Sequence, residues 1–372
     1  MSHDAAGPRV LDGRVWEDFC EGLKRAGRVV RGEGCPATPL ARAEGYRYLT
    51  RLLRAGLESR LEYGDPRFPG FYQLSNETIK IGNDNPDNLY QNCTISGRYA
   101  YRITGTRGTV PYLSLGTKAG GYGSTGRMEP TGQLDAGDLQ VGPRGELEIH
   151  VSCEPCPGNW LPMAPESSML IVRQTFADRC REEPAQLRIE RLGERAEAVL
   201  EPRDLEAGLQ GALAFVEGTA RLFVGWMEGY AAHVNELPPD DQEKCQRAGG
   251  DARIHYLQSR WRLAADQALL VETPVIPECE GWNFQISNFW MESLDYRHHR
   301  IHVNQHTAAY EADGSVRIVV AHRDPGPGWP NWLETVGHCE GGMLFRWIGA
   351  RSHPPVHTRV VSFAELESLA SG

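Results

Sequence analysis

Gly145-Glu-Leu-Glu-Ile-His-Val-Ser152 leads to Pro157-Gly-Asn-Trp-Leu161 and then to Met169-Leu-Ile-Val-Arg173. The same progression returns as Gly314-Ser-Val-Arg-Ile-Val-Val-Ala321, Pro327-Gly-Trp-Pro-Asn-Trp-Leu333 and Met343-Leu-Phe-Arg-Trp347. A Gly-led alternating strand, an Asn-Trp-Leu turn and a Met-Leu strand recur in order, displaced by 169 residues at Gly145 and by 174 at Met169. Three landmarks in register point to a duplicated unit. Within the first, Leu147, Ile149 and Val151 alternate with Glu148 and His150. A strand with that period buries one face and wets the other.

More strand signal precedes each copy. Tyr99-Ala-Tyr-Arg-Ile-Thr-Gly105 and Val110-Pro-Tyr-Leu-Ser-Leu115 stand ahead of the first, Ala268-Leu-Leu-Val-Glu-Thr273 and Trp282-Asn-Phe-Gln-Ile-Ser287 ahead of the second. Short β-branched and aromatic runs punctuated by Gly, Pro and Asp are the pattern of antiparallel sandwiches or barrels. Helical spacing governs Val15, Trp16, Phe19, Cys20 and Leu23, and again Tyr46, Leu49, Leu53 and Leu57. A longer helix is expected from an N-cap at Asp204 through Leu205, Leu209, Val216, Phe223, Met227 and Tyr230, ending before Pro238-Pro239. Ser362 to Leu369 reads as a helical tail.

The expected fold is therefore mainly β with added helices: two tandem antiparallel β-sandwich units, jelly-roll-like, with N-terminal and linking helices. The expected division is a helical segment at 1–64, a first sandwich at 65–200, a linking helix at 201–248, a second sandwich at 249–350 and a tail at 351–372.

The 372 residues carry 39 Lys+Arg against 49 Asp+Glu, a formal net charge of −10, which argues against a broad basic footprint for nucleic acid or an anionic membrane. Neither a basic, apolar leader nor a long apolar run is present, so a cytoplasmic protein without membrane attachment is expected. Nine Cys, an odd number, suit reduced thiols. Cys153 and Cys156 are the only close pair, and they lack the second pair a zinc site needs.

The densest polar and aromatic stretch runs from Trp282 to His306. On a strand, Asn283, Gln285 and Ser287 share one face while Trp282, Phe284 and Ile286 take the other. A row of amides is costly to bury without partners, so it faces a polar ligand cavity, a satisfied network or solvent. With Asn288 and Trp290 these residues are the expected substrate-binding wall. His298, His302 and His306 invite a metal, but four-residue steps along a strand separate ligands by roughly 13 Å. No metal ligand and no organic cofactor is assigned. Arg297, Arg300, Arg323 and Arg346 surround the stretch, and guanidinium forks bind carboxylate or phosphate bidentately. An anion held by Arg297 and Arg323 would place His298 or His322 as general acid or base, with Asp295 and Tyr296 beside them. Pairing of these arginines with neighbouring acids is the plainer alternative.

Asn83-Asp-Asn-Pro-Asp-Asn-Leu-Tyr90 is a strong Asx turn signal. Asp84, Asn85, Asp87 and Tyr90 are its candidate pocket residues. Gly116-Thr-Lys-Ala-Gly-Gly-Tyr-Gly-Ser-Thr-Gly-Arg127 lacks the order of a phosphate-binding loop and reads as a mobile flap between strands.

Asn85-Pro-Asp-Asn-Leu-Tyr90, the run from Trp282 to Trp290, Asp313-Gly-Ser-Val-Arg-Ile318 and Asn331-Trp-Leu333 resemble a bacterial family known as domain of unknown function 1214, related to family 1254. The resemblance covers most of the chain and is strongest from about 255 to 350. It implies β-sandwich units with appended helices, often as oligomers, and no established chemistry. The chain departs from the family pattern at Trp282-Asn-Phe-Gln285, where an aromatic-Trp-Ser run is more usual.

The expected function is a cofactor-independent enzyme (lyase, isomerase or hydrolase) using general acid–base chemistry on a small anionic or aromatic substrate. The alternatives are a non-catalytic β-sandwich binding a small ligand or glycan, and a homo-oligomeric assembly protein.

Overall fold

The structure is a computed structural model that describes residues 6–124, 126–194 and 196–370. Each copy of the repeat forms eight strands. The first holds β1 (Asn88–Thr94), β2 (Tyr101–Thr106), β3 (Tyr112–Gly121), β4 (Arg127–Asp135), β5 (Glu146–Ser152), β6 (Trp160–Pro162), β7 (Ser167–Thr175) and β8 (Gln186–Arg191). The second holds β9 (Ile254–Arg262), β10 (Gln267–Thr273), β11 (Gly281–Ile286), β12 (His302–Asn304), β13 (Val316–Ala321), β14 (Trp332–Glu334), β15 (Glu340–Ile348) and β16 (His357–Ser362). The first unit has sheets β1-β7-β3-β4 and β6-β5-β2-β8; the second has β9-β15-β11-β12 and β14-β13-β10-β16. Adding eight to every strand number of one unit generates the other, so the duplication extends to complete topology.

The strand number is that of a jelly roll, but pairing is not purely antiparallel. In each unit one pair, β5–β6 and β13–β14, runs parallel. These short strands are held by the Asn-Trp-Leu landmark. Asn159 Nδ2 donates to the carbonyls of Gln140 (2.8 Å) and Glu148 (3.0 Å), and its Oδ1 accepts from Gln140 N (2.7 Å). Asn331 makes the same three bonds, to Ala309 O (2.7 Å), Arg317 O (2.9 Å) and from Ala309 N (2.8 Å). The indole N–H of Trp160 donates to Ser152 O and that of Trp332 to Ala321 O, both at 3.2 Å. The motif recurs because it performs one structural task twice.

One landmark was matched a residue out of step. Leu170 and Val172 of β7 enter the first sandwich core, and Met343, Phe345 and Trp347 of β15 enter the second. Met169 instead faces outward, into the helical core. The equivalent of Met343 is therefore Leu170, and that of Arg346 is Arg173. A one-residue slip reverses the face of every side chain, and two Met-Leu pairs conceal it.

Among the described residues, six α-helices complete the fold: α1 (Ala6–Leu11), α2 (Arg14–Ala26), α3 (Pro39–Leu57), α4 (Pro202–Gly229), α5 (Gln242–Arg247) and α6 (Phe363–Ala370). Thr38 caps α3, its hydroxyl accepting from Ala41 N at 3.2 Å, and Pro39 follows at the first helical position. The N-cap of α4 is Glu201 rather than Asp204, because Pro202 is compatible with the first turn; Asp204 sits inside that turn. The helix ends at Gly229, well short of Pro238. Its buried stripe of Phe215, Val216, Phe223 and Met227 packs with Tyr48 and Leu52 of α3, with Met128 and Met169 of the first unit, and with Trp290 and Met291 of the second. The linking helix thus joins both units through one core. Ser362 and Glu365 form a reciprocal cap at α6, and Phe363 and Leu366 cover the outer face of β10 and β13.

The Gly-rich segment is not a flap. It forms β3 and its turn into β4, with Lys118 only 3% exposed. A Cβ at Gly123 would stand 2.5 Å from the backbone of Phe215, so the absent side chain lets the hairpin tip touch α4; Thr125 lies outside the described residues. The second unit also runs past position 350, because β16 pairs with β10 along six residues. As a mostly exposed edge strand, β16 shows little alternation to read.

Candidate functional site

The sheets β1-β7-β3-β4 and β9-β15-β11-β12 turn their outer faces toward each other, and α4 and α5 close the space between them. A cavity of about 140 Å³ remains. That is close to the engineered cavity that admits benzene. Ile171, Leu344, Phe223 and Trp226 supply its apolar wall, and Tyr90, Arg173, Tyr256 and Arg346 its polar groups.

Two cross-strand pairs frame the cavity. Tyr90 lies opposite Arg173 in the β1–β7 ladder, and Tyr256 lies opposite Arg346 in the β9–β15 ladder. Each tyrosine hydroxyl accepts a backbone N–H from five residues earlier, Asn85 for Tyr90 (3.0 Å) and Asp251 for Tyr256 (2.9 Å).

Arg346 is 4% exposed and has no carboxylate within ion-pair distance among the described residues. Its Nη1 donates to Asn283 Oδ1 (3.1 Å) and Gln285 Oε1 (2.6 Å), and its Nη2 donates to Asn83 O. Asn83 adopts a φ of +58°, a region Asn tolerates, which presents that carbonyl to the guanidinium. Of five guanidinium N–H groups, these bonds use three. Burial draws the Arg346 guanidinium below its ordinary value, against the attraction of Tyr90, Tyr256, Asp84 and Asp87.

The amide row of β11 therefore exists as expected, and the protein itself satisfies it. Asn283 Nδ2 donates to Asn85 Oδ1 (2.6 Å) and Asp87 Oδ2 (3.0 Å); Gln285 Nε2 donates to Asp84 O (2.9 Å); Ser287 Oγ donates to Asn83 Oδ1 (2.6 Å). Trp282 and Phe284 take the opposite face, in the sandwich core. Asp84 accepts from Ser293 N (2.9 Å) and Oγ (2.7 Å). Asp87 is held by Asn304 Nδ2 (3.0 Å) and by His302 (3.1 Å). Burial would push the Asp87 carboxyl up, but His302 and the amides outweigh it and hold it low. The Asx segment is thus the clamp that ties the first unit to β11, and its residues Asp84, Asn85 and Tyr90 also line the cavity.

The expected acid–base residues are not gathered there. His298 and Arg297 are exposed, and Arg297 pairs with Asp295 at 2.7 Å, holding that carboxyl far below its usual range. Tyr296 receives the Lys80 ammonium over its ring at 4.2 Å, and burial pushes its phenol up. His322 meets Thr335 Oγ1 (2.8 Å) and Leu263 O (3.4 Å), while Arg323 lies exposed over the Phe363 ring. Asn288 bonds Glu292, and the Trp290 indole donates to Ala41 O; both serve the contact with α3. His306 faces Asp178 at 3.4 Å, apart from the Asp87 that His302 contacts.

Arg346 stands out in the sequence without a place in the fold, and Arg173 and Tyr256 lie outside the polar and aromatic stretches that stand out. An alternation test on β7 and β15 would have found the two arginines, since each interrupts an apolar run on the face opposite the sandwich core.

Comparisons with known proteins find one family model and, among others, two similar solved structures. A family model described as a protein of unknown function, DUF1214, matches residues 262–351. The crystal structure of an uncharacterized protein from Burkholderia cenocepacia is 50% identical, with a TM-score of 0.94, over 96% of this chain and 99% of that one. The VPA0106 protein from Vibrio parahaemolyticus is 11% identical with a TM-score of 0.46, over 85% of this chain and 98% of that one. No curated protein matches. Identical at half its positions to the Burkholderia protein along nearly its whole length, and carrying the matched segment in its second sandwich, the chain belongs to the DUF1214 family.

Proposed function

We propose that the chain binds a small carboxylate in the cavity between its two sandwiches, with Arg346 as the anion receptor. The observation that carries this reading is a buried guanidinium with only neutral oxygen acceptors on a cavity wall. Burying a cation is expensive unless a counter-charge joins it, and a bound carboxylate supplies that charge with bidentate geometry. The apolar wall of Ile171, Leu344 and Phe223 suits a hydrocarbon body.

Binding is favoured over acid–base catalysis by what surrounds the cavity. No histidine lines it among the described residues. Burial, with Asp240 nearby, pushes the Cys245 thiol well above its ordinary value, leaving it protonated and a poor nucleophile. The test is a thermal-shift and calorimetric comparison of short carboxylates with isosteric alcohols and amides. Carboxylates should bind, and Arg346→Met should weaken them at least tenfold, in line with about 1.5–3 kcal/mol for a hydrogen bond to a charged group. Equal binding of the neutral isosteres, or an unchanged affinity in Arg346→Met, would refute the proposal.

A further inference from the structure

The cavity is a duplicated site whose two halves differ in charge at one equivalent position. Arg173 and Arg346 occupy equivalent places on β7 and β15, and Tyr90 and Tyr256 equivalent places opposite them. On the other side of each arginine, β3 offers Ser114 and β11 offers Asn283. Ser114 Oγ donates to Asp251 Oδ2 at 2.7 Å, and Asn283 Nδ2 donates to Asn85 Oδ1 at 2.6 Å. Asp251 and Asn85 are themselves equivalent, each lying five residues before its tyrosine and donating its backbone N–H to that hydroxyl. Each half-site therefore consists of an arginine, a tyrosine, a β-strand hydroxyl or amide, and an Asx residue from the opposite unit. In one half that residue is a carboxylate, and in the other it is an amide.

The chemical consequence is direct. Burial pulls the Arg173 guanidinium down, but the Asp251 carboxylate 3.8 Å away, together with Tyr256, Tyr90 and Tyr112, holds it above the ordinary value. Arg346 has Asn85 in the corresponding place and is drawn down. The acids that act on Arg346, Asp84 and Asp87, are engaged with Ser293 and with Asn283, His302 and Asn304 and make no ion pair with it among the described residues. At the Arg173 end, Nη1 is buried without a hydrogen-bond acceptor while Nη2 reaches Gly249 O, so hydrogen-bonding capacity remains there beside the Asp251 carboxylate.

Resting on the carboxylate-binding reading above, we infer that the ligand is a monoanion bound in one orientation, its carboxylate at Arg346 and a neutral oxygen-bearing group at Arg173. A hydroxyl, amide or carbonyl would serve at the second end, whereas a second carboxylate would meet the Asp251 charge. The exchange of one Asx residue sets both the charge and the direction of the ligand.

The probes are butyrate, γ-hydroxybutyrate and succinate, titrated calorimetrically into the full chain and into Asp251→Asn and Asn85→Asp. The wild-type chain should prefer γ-hydroxybutyrate to succinate by tenfold or more. Asp251→Asn, which frees a second arginine, should reverse that preference toward succinate. Asn85→Asp, which gives Arg346 a counter-charge, should lose γ-hydroxybutyrate by tenfold or more. Ligand-free melting of each variant establishes that it folds. If Asp251→Asn binds the two probes in the wild-type ratio, or if succinate is the better wild-type ligand, the inference is overturned while carboxylate binding stands. If no carboxylate binds the wild-type chain, both fall together.

Discussion

Replacing Asn331 by Ala tests whether the Asn-Trp-Leu landmark is a structural staple. Asn331 is 2% exposed and closes three bonds, two donated to Ala309 O and Arg317 O and one accepted from Ala309 N. Removing it leaves one backbone N–H and two carbonyls without these partners. At about 1 kcal/mol net per bond the loss is about 3 kcal/mol. Asn159 makes the same three bonds and is 8% exposed, so water recovers more of them and the loss should be about 2–3 kcal/mol. Asn331→Asp keeps the acceptor but sets a carboxylate against two carbonyl oxygens, so it should be at least as damaging as Ala. Urea unfolding at neutral pH, followed by circular dichroism and by tryptophan fluorescence, measures each value. Losses below about 1 kcal/mol at both positions, or an Asp variant as stable as the wild type, would refute the staple. A difference between the two sites above about 2 kcal/mol would refute their equivalence.

Burial, with Arg173 beside it, pushes the Lys118 ammonium down to about 8. The unfolded chain then binds the extra proton between pH 8 and its ordinary value, so stability rises with pH across that window; Lys118→Met should gain up to about 3 kcal/mol at pH 7 and lose its advantage as the pH climbs. Burial pulls the His338 imidazole down, but Glu44 at 2.7 Å and nearby backbone carbonyls hold it above its ordinary value. That contribution is complete below about pH 6.5 and disappears as pH rises through the folded value, so Glu44→Gln should flatten the stability curve there while Glu44→Ala costs about 3–5 kcal/mol. A Cβ at Gly341 would stand 2.0 Å from Ser287 O, so Gly341→Ala should cost about 3 kcal/mol or more and lower the soluble yield. Gly225 on α4 has nothing within 4 Å, and Gly225→Ala should instead raise stability by about 0.5–1 kcal/mol in the same melts.

Much of the fold was legible before any coordinates. Alternation in Leu147 to Val151 marks a strand with one buried face, and the repeated landmarks mark two units, because hydrogen-bonding side chains such as Asn159 and Asn331 act on backbone within their own copy of the repeat, 19 and 22 residues away. The candidate site was legible only in part. Asn283, Gln285 and Asp84 to Tyr90 were identified by composition and face, but their partners lie across the unit boundary, about 200 residues apart in sequence. The acid–base group around His298 and His322 was suggested by nearness along the chain, and the structure separates it, since a turn exposes His298 and Thr335 engages His322.

The sequence by itself determined the duplication, the strand period, the linking helix and the residues that staple each copy, all of which depend on local periodicity or short-range bonds. Only the tertiary structure decided that Arg173 and Arg346 face one cavity. Their equivalence depends on strand register, where a single residue reverses a face, and on the docking of two sheets far apart in the chain.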